Sequence, residues 1–465
     1  MKRNIFKIFA ALTFVFVVQS CKKEDSVSID LTKYIDSPYS NSDLDIWLRA
    51  NFLDTYNIDV IYRYSDYYKD YDKNVSPVDL NKVRPQMQMV LEGFVAPYKK
   101  IAGTTFVKEK LPKEWVLYGS GAYNTDGSMI LATAGAGRRV TIYTLNNFDI
   151  NDPNLVIPKL KTIHHEFTHI LNQLVAMPTD FQTITKASYN ATWTTVADAT
   201  ARDLGYVTSY ATSQPGEDFA ETTSTLLVFG QAWFDARANA STAAGKLALK
   251  AKEASVVQYF TVSLGIDFRA LQREVQQVVR QTYKYPAASF PYWVGQNLFK
   301  TMTTNLEDPI YTTNAISTDY ATAYNNFKAT VLAANTTAKY HMDNVQLRFE
   351  STTALTVRVP FTATAGTAAG TQYNADYTFT YTINAVTGAV VFTKVAQAGT
   401  TGTYANAALF TAGFTSSLQA YLTGKTFIAD WMPATIDNAN YNSFGGFYVS
   451  GTPTNNFYGS LGQTL

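Results

Sequence analysis

The sequence is poor in the residues that cross-link proteins or bind nucleic acids. Its 465 residues include one cysteine, Cys21, and four histidines. A single thiol cannot form an internal disulfide, so the fold depends on packing and hydrogen bonds. The 38 basic residues nearly balance the 37 acidic ones, giving a net charge of +1. Because no basic stripe or cluster stands out, we expect no nucleic acid partner.

Charge is scarce in the last quarter of the chain. From Ser351 to Leu465 the charged residues are Arg358, Asp376, Lys394, Lys425, Asp430 and Asp437. Apolar and polar residues alternate over 355–362, 378–383 and 389–393, a period typical of strands. A helix is expected over 319–333. We therefore predict a mostly-β C-terminal domain over residues 300–465, of unknown function.

The apolar run at the N-terminus is short. It extends from Ile8 to Val18, too few residues for a membrane-spanning helix, and it follows a basic start. The Ser20-Cys21 pair after it resembles the lipobox of bacterial lipoproteins, which implies that residues 1–20 are a signal peptide and that Cys21 carries a lipid. The alternative is an ordinary signal peptide with a leftover cysteine. Residues 21–40 are polar and predict a flexible tether.

The middle of the chain predicts an α+β fold. A helix, three antiparallel strands and then several helices follow one another, an order typical of this class. Pro85 is expected to kink the first helix or to mark its start. The predicted helices are 77–96, 159–176, 217–240, 243–258 and 268–283, and the predicted strands are 114–118, 129–133 and 139–145, with residues 134–137 connecting the last two. These elements would form one domain over residues 41–285.

Three of the four histidines lie within six residues. The stretch His165-Glu166-Phe167-Thr168-His169 is an HExxH motif. On a helix its two histidines share one face, so both imidazoles can bind one zinc ion, while Glu166 can act as the general base. His164 points about 100° away around the helix, so we expect it in a supporting or surface position rather than as a ligand.

A catalytic zinc requires a third protein ligand and an open position. The remaining histidine, His341, is far along the chain, so a carboxylate is expected. Glu217 and Glu221 are four residues apart and would share a helical face. One could bind the ion while the other accepts a hydrogen bond from a ligand histidine. Alternatively, both are acids that favour the positive end of a helix dipole.

The segment TSYATSQPGEDFAE, Thr208 to Glu221, resembles the second zinc segment of the anthrax lethal factor group of metalloproteases. In that group the first Glu of an E-x-F-A-E pattern binds zinc, and a Tyr seven residues earlier points into the site. The resemblance implies that Glu217 is the ligand, that Glu221 supports it, and that Tyr210 assists the tetrahedral intermediate or the leaving amine.

Residues 21 to about 285 also resemble substrate-import-associated zinc metallohydrolases, which are lipoproteins of Bacteroidetes-type bacteria. The matching stretches are Cys21, DIWLRANFLDTYNIDVIYRY from Asp45, RRVTIYTLNNFD from Arg138, HHEFTH and EDFAE. The resemblance implies a zincin-like domain with a gluzincin-type site and one Zn²⁺ per chain. It also implies a lipid-anchored outer-membrane protein, exposed at the cell surface beside a TonB-dependent transporter and its surface lipoprotein. The YNSFGGFYVSG stretch resembles β-rich domains of similar lipoproteins.

Two functions are consistent with these features. The first is a zinc metallopeptidase acting on a peptide or protein, with the strand Arg139–Leu145 as the edge on which the substrate lies. Arg138 and Arg139 could then contact the substrate or simply be a solvated strand end. The second is a binding lipoprotein that captures glycan or peptide for the transporter, with a structural or slow zinc site.

Overall fold

The computed structural model describes residues 42–125, 127–135, 138–295 and 297–465. The chain divides into two units, residues 1–49 and 50–465. In the first, helix α1 (Asp43–Leu48) begins with a capping box, in which Ser42 and Asp45 each accept a hydrogen bond from the other's backbone amide. The predicted signal peptide, Cys21 and the tether lie outside the described residues.

Helices dominate the chain from residue 50 to residue 293. In chain order the α-helices are α2 (Asp54–Tyr56), α3 (Leu80–Val90), α4 (Ala96–Lys110), α5 (Pro153–Leu174), α6 (Thr179–Ile184), α7 (Asp198–Asp203), α8 (Pro215–Val228), α9 (Gly230–Asn239), α10 (Ala243–Gln258), α11 (Phe268–Gln281) and α12 (Phe290–Trp293). A π-helical segment, Leu91–Val95, joins α3 to α4. The helices predicted over 159–176, 243–258 and 268–283 are confirmed within a few residues, as α5, α10 and α11.

The first predicted helix, 77–96, differs from the structure at both ends. It begins at Leu80, because the Asp79 amide donates to Asn146 Oδ1 at 2.8 Å and ties the preceding segment to a loop. Pro85 lies inside α3, so it does not mark the helix start. Beyond residue 96, where the predicted helix ends, α4 continues to Lys110.

The predicted helix 217–240 is two helices, separated at Phe229. Gly230 has a φ of +85°, and a Cβ there would lie 2.5 Å from Gln276 Oε1. Gln276 Nε2 donates to the carbonyls of Leu227 and Val228 at 2.9 and 2.8 Å. These side-chain donors satisfy the carbonyls that the end of α8 leaves free, so the chain can turn there.

A small mixed sheet precedes the motif helix. Its strands are β1 (Asp59–Ile61), β2 (Glu114–Leu117), β5 (Ala132–Gly135) and β6 (Arg139–Ile142), and their order in the sheet is β1-β2-β6-β5. β1, β2 and β6 are parallel, and only β5 is antiparallel within this sheet. The prediction of antiparallel strands was therefore wrong for most of the sheet. The predicted strand 129–133 is also two strands, because Met129–Ile130 (β4) pairs instead with Ala122–Tyr123 (β3).

Aromatic packing fixes the motif helix α5 against this sheet. The Phe94 ring meets Phe167 of α5 edge-on, with ring centroids 5.1 Å apart, and contacts Trp115 of β2 at 5.9 Å. Tyr98 also contacts Phe167, at 5.1 Å. All four residues are buried. Such edge-to-face pairs add to the free energy of apolar burial and hold α5 in one rotation.

The C-terminal region is mostly β. Its strands are β7 (Thr301–Thr304), β8 (Tyr340–Met342), β9 (Val345–Phe349), β10 (Ala354–Ala363), β11 (Gln372–Ile383), β12 (Ala389–Lys394), β13 (Phe427–Asp430), β14 (Phe444–Val449) and β15 (Thr452–Gly462). They form a nine-stranded antiparallel sheet in which β10 also pairs with β11. That pairing closes the sheet into a ring, with β8 added beside β10. The alternation predicted over 355–362, 378–383 and 389–393 is confirmed by β10, β11 and β12.

Helices lie between the strands of this ring along the chain. They are α13 (Pro309–Asn314), α14 (Thr318–Ala333), α15 (Thr403–Ala408), α16 (Thr411–Phe414) and α17 (Ala420–Leu422). α14, predicted over 319–333, contributes Tyr320, Tyr324 and Phe327 to the core of the ring. The α+β class is therefore confirmed. No helix among the described residues is both long and apolar enough to cross a membrane.

Candidate active site

The HExxH motif lies in the second half of helix α5. Asp152 caps the helix by accepting from the Asn154 amide, and Pro153 occupies its first turn, where a missing N–H costs nothing. Ile163, Phe167 and Ile170 are buried on the packed side of the helix. The helix thereby turns the motif histidines toward helix α8.

Three candidate ligand atoms meet between α5 and α8. His165 Nε2 lies 3.0 Å and His169 Nε2 lies 3.2 Å from Glu217 Oε2, and the two imidazole nitrogens are 3.1 Å apart. Donors about 2.0–2.1 Å from a tetrahedral zinc are about 3.3–3.4 Å from one another. The three side chains therefore fit one zinc ion with shifts of a few tenths of an ångström. They are also the cluster of His and acidic side chains that could hold a metal among the described residues.

The second acid of α8, Glu221, contacts the other nitrogen of the first histidine. His165 Nδ1 lies 2.9 Å from Glu221 Oε1, close enough for Nδ1–H to donate to the carboxylate. This contact selects the tautomer of His165 that leaves Nε2 free to bind a metal. Burial alone would raise the pKa of Glu221, but the charge of Lys161 and the hydrogen bond from His165 outweigh it and hold the pKa well below its usual range.

Two residues that the sequence did not single out hold Glu221 in place. Lys161 Nζ lies 2.5 Å from Glu221 Oε1, and the Thr208 hydroxyl donates to Glu221 Oε2 at 2.6 Å. Thr208 Oγ1 also accepts from the Ala211 amide at 3.1 Å, which directs its proton toward Glu221. Lys161 precedes His165 by one helical turn, a spacing that could have identified it. No sequence signal identifies Thr208.

Glu166 is buried beside the ligand triangle and lines a cavity of about 700 Å³ with His165, His169 and Glu217. Burial raises the pKa of Glu166, although the charges of the two histidines and a hydrogen bond from the Ala134 backbone amide oppose that rise. A carboxylate with a raised pKa can accept a proton and return it.

Tyr210 lines the same cavity. Its ring stacks on that of His165, with centroids 5.9 Å apart, and meets the edge of Trp193 at 4.9 Å. Burial and the negative charge of Glu217 raise its pKa. The phenol therefore stays protonated at neutral pH and can donate a hydrogen bond into the cavity.

The other two histidines lie away from the ligand triangle. His164 is fully buried, 3.2 Å from the Gly93 carbonyl and against the rings of Phe94 and Tyr98. The surface position considered for it was wrong, because this face of α5 packs on the core. His341 lies 3.5 Å from Glu307 in the C-terminal region.

The strand predicted as the edge of the small sheet, 139–145, lies inside the sheet. β6, Arg139–Ile142, has neighbours on both sides, and β5 occupies the edge. Arg139 Nε donates to Glu114 Oε2 at 2.8 Å, and its guanidinium lies over the Tyr68 ring. The arginine is therefore engaged with β2, while Ala132, Thr133 and Ala134 of β5 line the cavity.

Comparison with known proteins assigns the chain to a family whose description agrees with the geometry of this site. The model of a family described as "Putative zinc-binding metallo-peptidase" matches residues 37–269, half of the chain. The chain belongs to this family, and the matched range contains the motif helix, Tyr210 and both acids of α8.

A solved structure is also similar to this chain. The crystal structure titled "putative zinc-binding metallo-peptidase", from Bacteroides caccae ATCC 43185, is 27% identical, with a TM-score of 0.45. The match covers 54% of this chain and 97% of that one. Among curated proteins there is no match.

Proposed function

We propose that this protein is a zinc metallopeptidase that hydrolyses peptide bonds at a gluzincin-type site. His165, His169 and Glu217 would hold one Zn²⁺ per chain in a zincin-like domain. The observation that carries the proposal is the meeting of these three donor atoms within 3.2 Å, beside a buried glutamate and an open cavity. Membership of a family described as zinc-binding supports the same reading.

Each nearby side chain has a role in hydrolysis. When bound, zinc polarises the scissile carbonyl and lowers the pKa of water to about 7. Glu166 accepts a proton from the attacking water at its carboxylate and passes it to the leaving amine. The Tyr210 hydroxyl donates a hydrogen bond to the oxyanion as the carbonyl carbon becomes tetrahedral. Glu221 keeps the proton of His165 on Nδ1.

The substrate backbone would bind along β5. β5 is at one edge of its sheet and pairs only with β6 among the described residues, so a further strand can add beside it through the outer backbone groups other than the Ala134 amide, which donates to Glu166. Ala132 and Ala134 of this strand line the cavity beside Glu166. An extended peptide that adds to β5 would therefore pass directly over the ligand triangle.

Our proposal for the location and partners rests on the N-terminal motif and the family resemblance. We infer that Cys21 carries the lipid and anchors the protein in the outer membrane, at the cell surface. There it would process peptides or proteins beside a TonB-dependent transporter and its surface lipoprotein. Labelling with a lipid precursor, in wild type and Cys21→Ser, would test the anchor.

The variant Glu166→Gln tests whether the protein hydrolyses peptides or only binds them. We expect the variant to keep its zinc and to lose about 10²–10⁴-fold in turnover of a proteome-derived peptide mixture, because the general base is gone. A binding lipoprotein would instead capture peptides equally well with either residue, and its zinc-loaded wild type would cleave none. That second result would contradict the proposal.

A further inference from the structure

The proposed role of Tyr210 requires its ring to stay in one position. The backbone is held, because the Tyr210 carbonyl accepts from the Ser213 amide at 3.0 Å and from the Ser213 hydroxyl at 2.8 Å. These bonds leave the side chain free to change rotamer. An oxyanion donor acts only from about 2.7–3.1 Å, so contacts to the ring itself have to set where the hydroxyl lies.

Two other rings contact that of Tyr210. The His165 imidazole stacks on it, with centroids 5.9 Å apart and planes at 29°, and Trp193 meets it at 4.9 Å and 68°. His165 belongs to the ligand triangle. Trp193 comes from a different part of the chain, the 3-10 helix Trp193–Thr195, and lies outside the described lining of the cavity. It can therefore act on the cavity through Tyr210.

The loop that carries the indole is anchored to the elements beside the site. The Asn190 amide donates to the Thr212 carbonyl at 2.7 Å, in the same 3-10 helix as Tyr210. The Tyr189 hydroxyl donates to Asp218 Oδ2 of α8 at 2.9 Å, and Asp218 is fully buried. Both anchors lie just before the indole in the chain, so they hold it against the Tyr210 ring.

Trp193 is the large side chain of an otherwise exposed stretch. Residues 191, 192, 194 and 195 are exposed, whereas Trp193 is partly buried. By contrast, Trp115 of the small sheet is fully buried and belongs to the packing around Phe94. Removing the Trp193 indole should therefore cost the fold little while it frees the Tyr210 ring.

We propose that Trp193 is a positioning residue that holds the Tyr210 hydroxyl where it can reach the developing oxyanion. This inference rests on the proposed peptidase function and adds a residue from outside the cavity to that site. An edge-to-face contact favours one ring position over others by up to about tenfold. Loss of Trp193 should lower kcat rather than raise KM, because the hydroxyl acts on the transition state.

Substitutions at two tryptophans test the proposal. Trp193→Ala removes the ring, and Trp193→Phe keeps an aromatic edge. Trp233→Ala is the matched control, since it removes a partly buried indole that lies outside the described lining of the cavity. The zinc-loaded proteins would be assayed for kcat and KM on one peptide that the wild type cleaves, with zinc content and urea unfolding measured in parallel.

Trp193→Ala should lower kcat about 5–10-fold, with zinc content and KM unchanged, because the hydroxyl occupies its working position less often. Trp193→Phe should bring kcat back to within about threefold of the wild type, and Trp233→Ala should leave it unchanged. In a Tyr210→Phe background, Trp193→Ala should cause no further loss, because no hydroxyl is left to position. A general structural effect would lower kcat in both backgrounds.

Other outcomes would overturn the inference. An unchanged kcat in Trp193→Ala would do so, as would an equal loss in the Tyr210→Phe background. A raised KM with unchanged kcat would also do so, because it would indicate that the indole contacts the substrate directly. Should Trp193→Ala fail to fold, Trp193→Leu fills the space without an aromatic ring, and a wild-type kcat in that variant would overturn the inference.

Crystal structures of the zinc-loaded wild type and Trp193→Ala test the same point without an activity assay. The Tyr210 ring should hold one position in the wild type and leave it in the variant, and an identical position in both would overturn the inference. A wild type that loads zinc but cleaves nothing would refute the peptidase function itself. The comparison of ring positions would still decide whether Trp193 holds Tyr210.

Discussion

The carboxylate of Glu221 should govern zinc affinity without touching the metal. Its Oε1 accepts from Lys161 Nζ and lies 2.9 Å from His165 Nδ1, and its Oε2 accepts from Thr208. Replacing Glu221 by Gln leaves one oxygen for these donors and removes the charge that faces Lys161. A hydrogen bond to a charged group contributes about 1.5–3 kcal/mol, which corresponds to about a 10–100-fold weaker zinc affinity.

Replacing Glu221 by Gln should lower both the zinc affinity and the unfolding free energy. A second substitution can separate these two effects. The Lys161 side chain is 16% exposed, so its charge is poorly solvated once Glu221 is neutral. Lys161→Met combined with Glu221→Gln removes that charge. We expect the double variant to regain most of the lost unfolding free energy, while its zinc affinity stays low because His165 is still poorly oriented.

Competition with a chromophoric chelator measures the zinc dissociation constant, and urea unfolding of the metal-free proteins measures stability. Thr208→Ser, which keeps the hydroxyl, is the matched control and should bind zinc like the wild type. Thr208→Val should weaken binding several-fold. A Glu221→Gln variant whose zinc affinity is within about threefold of the wild type would refute the orienting role.

Three further predictions concern single residues. Tyr210→Phe should lower kcat about 10²–10³-fold with unchanged zinc content, as expected for one oxyanion donor, whereas an unchanged kcat would remove Tyr210 from the mechanism. Burial lowers the pKa of His164 from 6.5 to about 4, so the unfolded chain takes up its proton first as pH falls. Between pH 7 and pH 4 the metal-free wild type should therefore lose about 3 kcal/mol of stability relative to His164→Gln in urea titrations, and parallel curves would contradict this. Lys252 and Asp218 form a fully buried ion pair at 2.7 Å, so Lys252→Met should lower the unfolding free energy by about 3–5 kcal/mol, against about 1 kcal/mol or less for Lys250→Met, whose side chain is 43% exposed.

The sequence predicted the parts of the fold that local patterns encode. Helix α11 has a strong apolar face, with Phe268, Leu271 and Val275 buried as its spacing indicates. The strand order was not predictable in the same way. β1 pairs in parallel with β2, a partner more than fifty residues away in the chain, and such pairing depends on tertiary packing rather than on local alternation. The mistaken choice of β6 as the edge strand followed directly from this.

The sequence also predicted the parts of the candidate site that short motifs encode. HExxH spacing and the i, i+4 acids point to five side chains that the structure brings together. Their metal-binding and catalytic roles stay predictions, as do the lipid anchor at Cys21 and the proposed domain boundaries. Lys161 and Thr208 escaped the sequence analysis because their importance comes from contacts with Glu221, which lies far from both in the chain. The one-turn spacing of Lys161 from His165 could have identified Lys161, whereas Thr208 has no motif of its own.

The central claim is that His165, His169 and Glu217 form a three-ligand zinc site. The most direct measurement is zinc per chain in the purified mature protein, wild type beside Glu217→Ala, with the exposed acid variant Glu109→Ala as control. We predict about one zinc in the wild type and in the control, and a collapse of that ratio in Glu217→Ala. A wild type that binds no zinc even when zinc is supplied, or a Glu217→Ala variant that binds it as tightly, would contradict the claim.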